Sequence, residues 1–428
     1  MIVNAPKQYT LDALRGFAAT VILLYHVIEY GTFLDPNYSP GFFRYFGSSN
    51  EGHLRVLLLF VISGTVITLS NQNFDQSKII TYLRKRFIRL YPIYVIGLIA
   101  ALSFGFSHYS AFTIIGNFLF LDVLFTDVIL ENGPIWTLHY EILFYLLFIP
   151  IALVRVNPVV VFTTSITVGL VNFLVISKFL EIRIITSYCF GFAFWSLGMI
   201  IVRYFSSSRT LPDNYSSLLS YLFLILSIPG LNALKLWLYD LAYKHLTFPI
   251  EYPFDGNINN WFRSAFIFSD FSYLPYCFLA IILFSGYHFK GKNLILLSVQ
   301  LLPLLYVYQI LNKGESLDVD KMAVPSIFYG FSLIFFFAKS KLIERIARKV
   351  IKSFIWFGQI SYGIYIIHIP ILIAIHTISL FSGSAFSFFG RLVIYLAFTI
   401  SASYFLERIF QPIIAASLTN KSVLAPKV

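Results

Sequence analysis

The chain has 428 residues, 58% of them hydrophobic and only 12% charged, with a formal net charge of +11. So little charge excludes a water-soluble globule of this size, whose surface would have to be covered by polar groups. The positive excess does not indicate nucleic acid, because Lys and Arg gather beside the ends of apolar runs, as membrane topology demands.

Apolar runs of about 20 residues recur along the whole chain, so the expected fold is all-α, a polytopic transmembrane bundle of about 10–12 helices. Crossings are predicted near 11–30, 54–71, 90–107, 135–154, 157–177, 185–202, 217–238, 272–289, 293–311, 323–338, 354–377 and 389–409. The first run carries Arg15 and lacks a small-residue cleavage site, so it reads as a retained helix and not a signal peptide. The 47 Phe and 28 Tyr suit lipid-facing surfaces and interfacial belts. Cys189 and Cys277 sit in separate runs and make neither a metal-spacing motif nor a disulfide framework.

Loop charge sets the expected orientation. Lys78, Arg84, Lys85, Arg86 and Arg89 place 71–90 inside, and Lys339, Lys341, Arg345, Arg348, Lys349 and Lys352 do the same for 339–353. The segment 108–134 has no Lys or Arg but holds Asp122, Asp127 and Glu131, so it is expected outside. With an even number of crossings both termini are cytoplasmic, in an inner membrane. The longest external loop, about 240–271, mixes Tyr252, Asp255, Asn257, Asn259, Asn260 and Trp261. Such a mixture suits sugar contact, and equally suits any folded loop. One integral-membrane domain over 1–428 is expected, with no soluble domain after the last crossing.

Five stretches carry ionisable or hydroxyl groups where apolar residues would do. LDALRGFAATVILLYH (11–26) places Arg15 and His26 eleven residues apart, within about 20° on one helix face and about 16 Å apart along the axis. Ionisable groups inside a span are functional candidates by default; the alternative is a snorkelling Arg and a His in a polar interhelical contact. FVISG (60–64) holds Ser63 and Gly64, small residues whose simplest role is close helix packing.

RKRFIRLYP (84–92) puts Arg86 and Arg89 on one face, suited to bidentate phosphate binding or to topology alone, with Pro92 expected to break or kink the chain at the membrane. PIWTLHYEILFY (134–145) sets Glu141 in an apolar helix with Tyr145 one turn on, and a carboxylate there must be paired, solvated or protonated. Glu141 is expected toward the outer end of its helix. His139 is an additional ionisable group. SYGIYIIH (361–368) repeats Ser361, Tyr365 and His368 at spacings of four and three, one polar stripe that forms either an interhelical contact or a cavity wall.

In this order the five stretches resemble the acyltransferase-3 family, integral-membrane enzymes that move acyl groups onto carbohydrate or related hydroxyls. The matching patterns are Arg-x10-His opening the first helix, V-x-S-G, Arg-x-x-Arg before Pro, W-S-L-x-x-E with Thr137 for the usual Ser, and S-Y-x-x-Y-x-x-H. Together they span Leu11 to His368. The resemblance implies a form lacking the SGNH hydrolase domain that some relatives carry.

It also implies an O-acetyltransferase taking its acyl group from acetyl-CoA, with no metal. The acceptor would be an envelope glycan or lipid-linked sugar, such as O-antigen or exopolysaccharide. Arg15, Arg86 and Arg89 would meet the donor's phosphates on the cytoplasmic side. His26 would be the general base or acyl-carrying nucleophile, and Glu141 would orient it or contact the acceptor. Ser63, Tyr145, Ser361, Tyr365 and His368 would line the cavity. The competing reading is a proton-coupled transporter, which also places Arg, His and Glu in membrane helices.

Overall fold

The computed structural model describes residues 9–46, 51–105, 108–176, 183–206, 214–242, 256–314, 316–338, 340–378 and 380–419. Tyr252, Asp255 and Lys339, named above, lie outside them. The described residues are helical, with no strand. Eleven of the helices are long and apolar enough to cross a membrane, or twelve counting one broken pair as a span. The protein is therefore a multi-pass helical membrane protein.

The long helices in chain order begin with α1 (Tyr9–Glu29), α2 (Glu51–Ser70), α3 (Ile79–Gly105) and α4 (Trp136–Val154). They continue with α5 (Pro158–Val171), α6 (Arg183–Phe205), α7 (Tyr215–Ser227), α8 (Leu274–Ser285) and α9 (Lys292–Asn312). The last are α10 (Val319–Phe337), α11 (Lys341–Gly358), α12 (Ser361–His376) and α13 (Ala385–Tyr404). Helix starts follow local chemistry. Asn157 accepts from the Val159 N–H (3.0 Å) with Pro158 in the first turn of α5, and Asn214 accepts from the Ser217 N–H (3.1 Å) to open α7.

One expectation is corrected, and of the break or kink expected at Pro92 the break is absent. The run 354–377 is not one helix, because α11 ends at Gly358 and α12 starts afresh at Ser361. Gly358 is pressed so close to the Asp12 carbonyl that a Cβ there would lie 2.0 Å from its oxygen. Pro92, for its part, does not break the chain. It lies inside α3, which begins thirteen residues earlier, so Arg86 and Arg89 belong to the helix itself. A proline deletes one backbone bond, and a bundle holds the helix through that loss.

The chain divides into two compact, interleaved units: residues 1–18, 41–72 and 156–358, and residues 19–40, 73–155 and 359–428. In the first, α2 packs on α6 where Gly64 faces the Trp195 carbonyl and Gly198 faces Val61 and Thr65. A Cβ at Gly64 would lie 2.0 Å from that carbonyl oxygen. Lipid supplies no hydrophobic drive between helices, so close backbone approach and polar contacts hold them together. The same unit joins α7, α9 and α10 through Ser220 and Ser332, which hydrogen-bond each other's carbonyls (2.8 and 2.9 Å) while Gln300 bridges both side chains.

In the second unit α12 packs against α3, α13 and the turn Leu130–Ile135. One end of it is tied by two buried side chains. The Arg391 guanidinium donates to the carbonyls of Leu34, Ile375, Ile378, Leu380 and Phe381. Asp35 accepts from Ser387 Oγ (2.7 Å) and from the Gly383 (3.0 Å) and Asn37 (3.1 Å) N–H groups.

Candidate active site

The second unit brings together residues from α1, α3, α4 and α12. Its organising feature is proline chemistry in α12. Pro370 has no N–H, so the carbonyl of Ile366, four residues earlier, loses its helical partner. Buried Asn132 fills the gap, donating from Nδ2 to that oxygen (2.8 Å). Gly97 of α3 lies against Ile366 so closely that a Cβ would meet its Cγ2 at 2.2 Å. These contacts fix the middle of α12, from which Tyr365 and His368 project.

Tyr365 donates to the Pro134 carbonyl and shares a 2.6 Å hydrogen bond with Thr137 Oγ1. The residue substituted in the W-S-L pattern therefore keeps a working hydroxyl. Its neighbour Tyr362 donates to the Leu90 carbonyl of α3 (2.9 Å). Glu407, which the sequence reading passed over, accepts from the Gly363 N–H at the start of α12 (2.7 Å). Ser361 is the first residue of that helix and is buried.

His26 and His368 meet. Their rings are nearly parallel, 9° apart with centroids 5.0 Å apart, and His26 Nδ1 lies 2.8 Å from His368 Nε2. His368 is fully buried and His26 half-buried. The other nitrogen of His368, Nδ1, faces the carbonyls of Ile364 (3.0 Å) and Tyr365 (2.9 Å). A carbonyl only accepts, so Nδ1 of His368 carries the hydrogen and its Nε2 holds a lone pair. Nδ1–H of His26 must then donate to that lone pair. Nε2 of His26 is left as the basic nitrogen, with no hydrogen-bond partner among the described residues.

Farther along the same helices, Tyr145 donates to Glu141. Tyr82 donates to the Tyr145 carbonyl (3.1 Å), and the Arg86 guanidinium lies 5.9 Å and 6.0 Å from the ring centres of Tyr82 and Tyr145. Nε of Arg86 is buried with no hydrogen-bond partner among the described residues. Arg89 is exposed. Glu141 is the sixth residue of the 19-residue α4, near its start at Trp136, and the 3-10 turn Leu130–Ile135 precedes that start.

His139 faces elsewhere. Its Nδ1 donates to the Phe120 carbonyl (2.6 Å) and lies 3.9 Å from Asp122. Burial pushes the Asp122 carboxyl up to about 8. Arg15 and Ser63 belong to the first unit. Arg15 pairs with Asp12 on its own helix (3.1 Å), and Ser63 accepts from Trp195 Nε1 (3.3 Å) in the α2–α6 contact. Among the described residues no three His, Cys, Asp or Glu side chains are grouped to hold a metal ion.

Asn132 was legible only indirectly: a proline four residues beyond Ile366 announces a carbonyl seeking a donor, but not which donor. The pairing of His26 with His368 had no local signal at all.

Comparison with known proteins gives the chemistry a class. Residues 8–287 match the family profile described as an acyltransferase domain, that of the acyltransferase-3 family. The match takes in the motifs from Arg15 to Glu141 and ends before Ser361. Acyltransferase MdmB of Streptomyces mycarofaciens is 28% identical over 160 residues, a stretch covering 34% of this chain and 39% of that protein. No solved structure matches the chain. The chain belongs to the acyltransferase-3 family and is a multi-pass helical membrane protein.

Proposed function

We propose that this acyltransferase moves an acyl group, most simply acetyl, from acyl-CoA to a hydroxyl of an envelope glycan or lipid-linked sugar. The observation that carries the reading is the polarity of the histidine pair. His26 presents an unprotonated Nε2 while His368 holds its Nδ1–H. That is the state a general base needs before it meets a hydroxyl.

The step balances without a further reagent. His26 Nε2 takes the acceptor's hydroxyl proton as the oxygen attacks the thioester carbon. The C–O bond forms, the C–S bond breaks, and the proton returns to the departing thiolate as free CoA thiol. His368 supports the charge that forms on His26 by accepting its Nδ1–H, as a fixed hydrogen-bond acceptor does for a catalytic imidazole.

Arg86, with an unpartnered buried Nε, and exposed Arg89 suit the phosphates of the donor. Along α1 the rise of about 16 Å from Arg15 to His26 suits an extended pantetheine arm bringing its thioester to His26, which makes Arg15 a further candidate for the donor's phosphates. Glu141, held by Tyr145, and the hydroxyls of Thr137, Tyr365 and Ser361 are the candidates to contact the acceptor. The cytoplasmic placement of the termini rests on the Lys and Arg distribution, and the inner membrane rests on the family resemblance.

The test is thiol release from acetyl-CoA by the purified protein in nanodiscs, with and without crude lipid-linked glycans. Glycan-dependent release supports the reading. Absence of both release and saturable acetyl-CoA binding overturns it and favours the carrier alternative. Arg86→Gln is expected to raise KM for acetyl-CoA about tenfold with kcat little changed, the pattern of a lost binding contact.

A further inference from the structure

We propose that the α10–α11 corner of the first unit binds the headgroup of an anionic phospholipid. A cavity of about 570 Å³ opens there, lined by Lys341, Arg345 and Arg348 of α11 with Asn214, Ser216 and Glu344. That volume falls within the range of small-ligand sites. The cavity carries surplus positive charge. Glu344 is its acidic residue, and both oxygens of Glu344 are engaged by the N–H groups of Tyr215 and Ser216 (3.0 Å each). Arg348 leans on Glu344 at 4.0 Å and stacks over Tyr215. Lys341 and Arg345 are exposed and have no carboxylate partner among the described residues.

The surroundings identify an amphiphile and not a soluble anion. Beside these cations the same corner exposes Phe337 (65%), Leu342 (63%) and Ile346 (43%). One face of α11 buries Ala347 and Ile351 in the unit, while Lys349 and Lys352 extend the basic face beyond the cavity. A helix with a basic edge and an outward apolar flank lies at a membrane interface, and an anionic leaflet attracts such a segment. The cations would hold the phosphodiester by charge-assisted hydrogen bonds, and the acyl chains would lie along Phe337, Leu342 and Ile346.

The experiment titrates detergent-solubilised protein with dioleoylphosphatidylglycerol or dioleoylphosphatidylcholine and reads bound lipid by native mass spectrometry. The wild type should prefer the anionic lipid, and Lys341→Gln/Arg345→Gln should lose about twentyfold of that affinity while binding the zwitterionic lipid as before. The single variant Arg345→Glu, at an exposed unpartnered position, should lose the preference as well and guards against misfolding of the double variant. An unchanged anionic preference in both variants overturns the proposal. So does displacement of the lipid by adenosine 3′,5′-bisphosphate, which would make the occupant a nucleotide.

Discussion

Among the described residues two hydrogen-bonded side-chain pairs contain a histidine, one in each unit: His53 with Asp270 and His26 with His368. His53 of α2 contacts Asp270 at 3.0 Å, both buried, and Asp270 also accepts from the Ile267 N–H (2.9 Å). There Nε2 of the ring is consumed by a carboxylate that simultaneously fixes a turn. His26 is held instead by another imidazole, which takes its Nδ1–H and leaves Nε2 unoccupied. In both pairs the ring's other nitrogen keeps its lone pair, so the pairs differ in partner and in access: His53 is buried beside a carboxyl group that also fixes a turn, and His26 is half-buried beside another ring. The lesson is that a membrane histidine's availability is set by what surrounds the nitrogen its partner leaves.

The largest expected effect tests the open pair. His26→Ala should lower glycan-dependent thiol release per folded molecule by about 10²–10⁴-fold, the worth of a positioned general base. Wild-type turnover in that variant would dissolve the distinction between the two histidines.

Next comes the partner. His368→Leu removes the acceptor for His26 Nδ1–H and should cost about 10–100-fold in kcat, whereas His368→Gln, which can still accept, should recover part of it. Equal losses in the two would mean that His368 only fills space.

The closed pair should fail differently. His53→Ala leaves the Asp270 carboxylate buried without its ring donor and should destabilise the protein by about 2–3 kcal/mol, read as a lower melting temperature. Turnover per folded molecule should remain. A loss of kcat in fully folded His53→Ala would place the first unit's histidine in the chemistry too.

The smallest effect concerns Asp35, a carboxylate closed off in the second unit. Burial tends to raise its pKa, but hydrogen bonds from Ser387, Gly383 and Asn37, with the Arg391 charge, hold it below 3.8. The unfolded chain therefore takes up the proton first as pH falls. The stabilisation is fully present above about pH 4 and is lost as pH drops through the folded value. Asp35→Asn should accordingly melt below the wild type at pH 7, with the gap narrowing below pH 4. A gap that does not change with pH would mean that the contribution is packing and not charge.

Much of the fold was legible because a membrane leaves few choices. Runs of 20 apolar residues must be helices, and Lys and Arg mark their ends. The two misread boundaries have a common cause. Pro92 and Gly358 are both helix breakers by propensity, yet α3 continues through the proline while α11 stops at the glycine. Propensity names a weak point, and the neighbours decide whether it gives. Glu407 and Asn132 escaped because each serves a backbone group made needy elsewhere in the chain.

By itself the sequence determined that the chain is a helical membrane protein, that Arg15 and His26 share one helix face, and which five stretches set ionisable or hydroxyl groups among apolar residues. Those follow from hydropathy and from the fixed rise and turn of a helix. Only the tertiary structure decided that His26 faces His368, 342 positions away, and that the carbonyls of Ile364 and Tyr365 set the latter's tautomer. No local rule reaches that far, because a ring's free nitrogen depends on the groups that surround it in space and not on its neighbours along the chain.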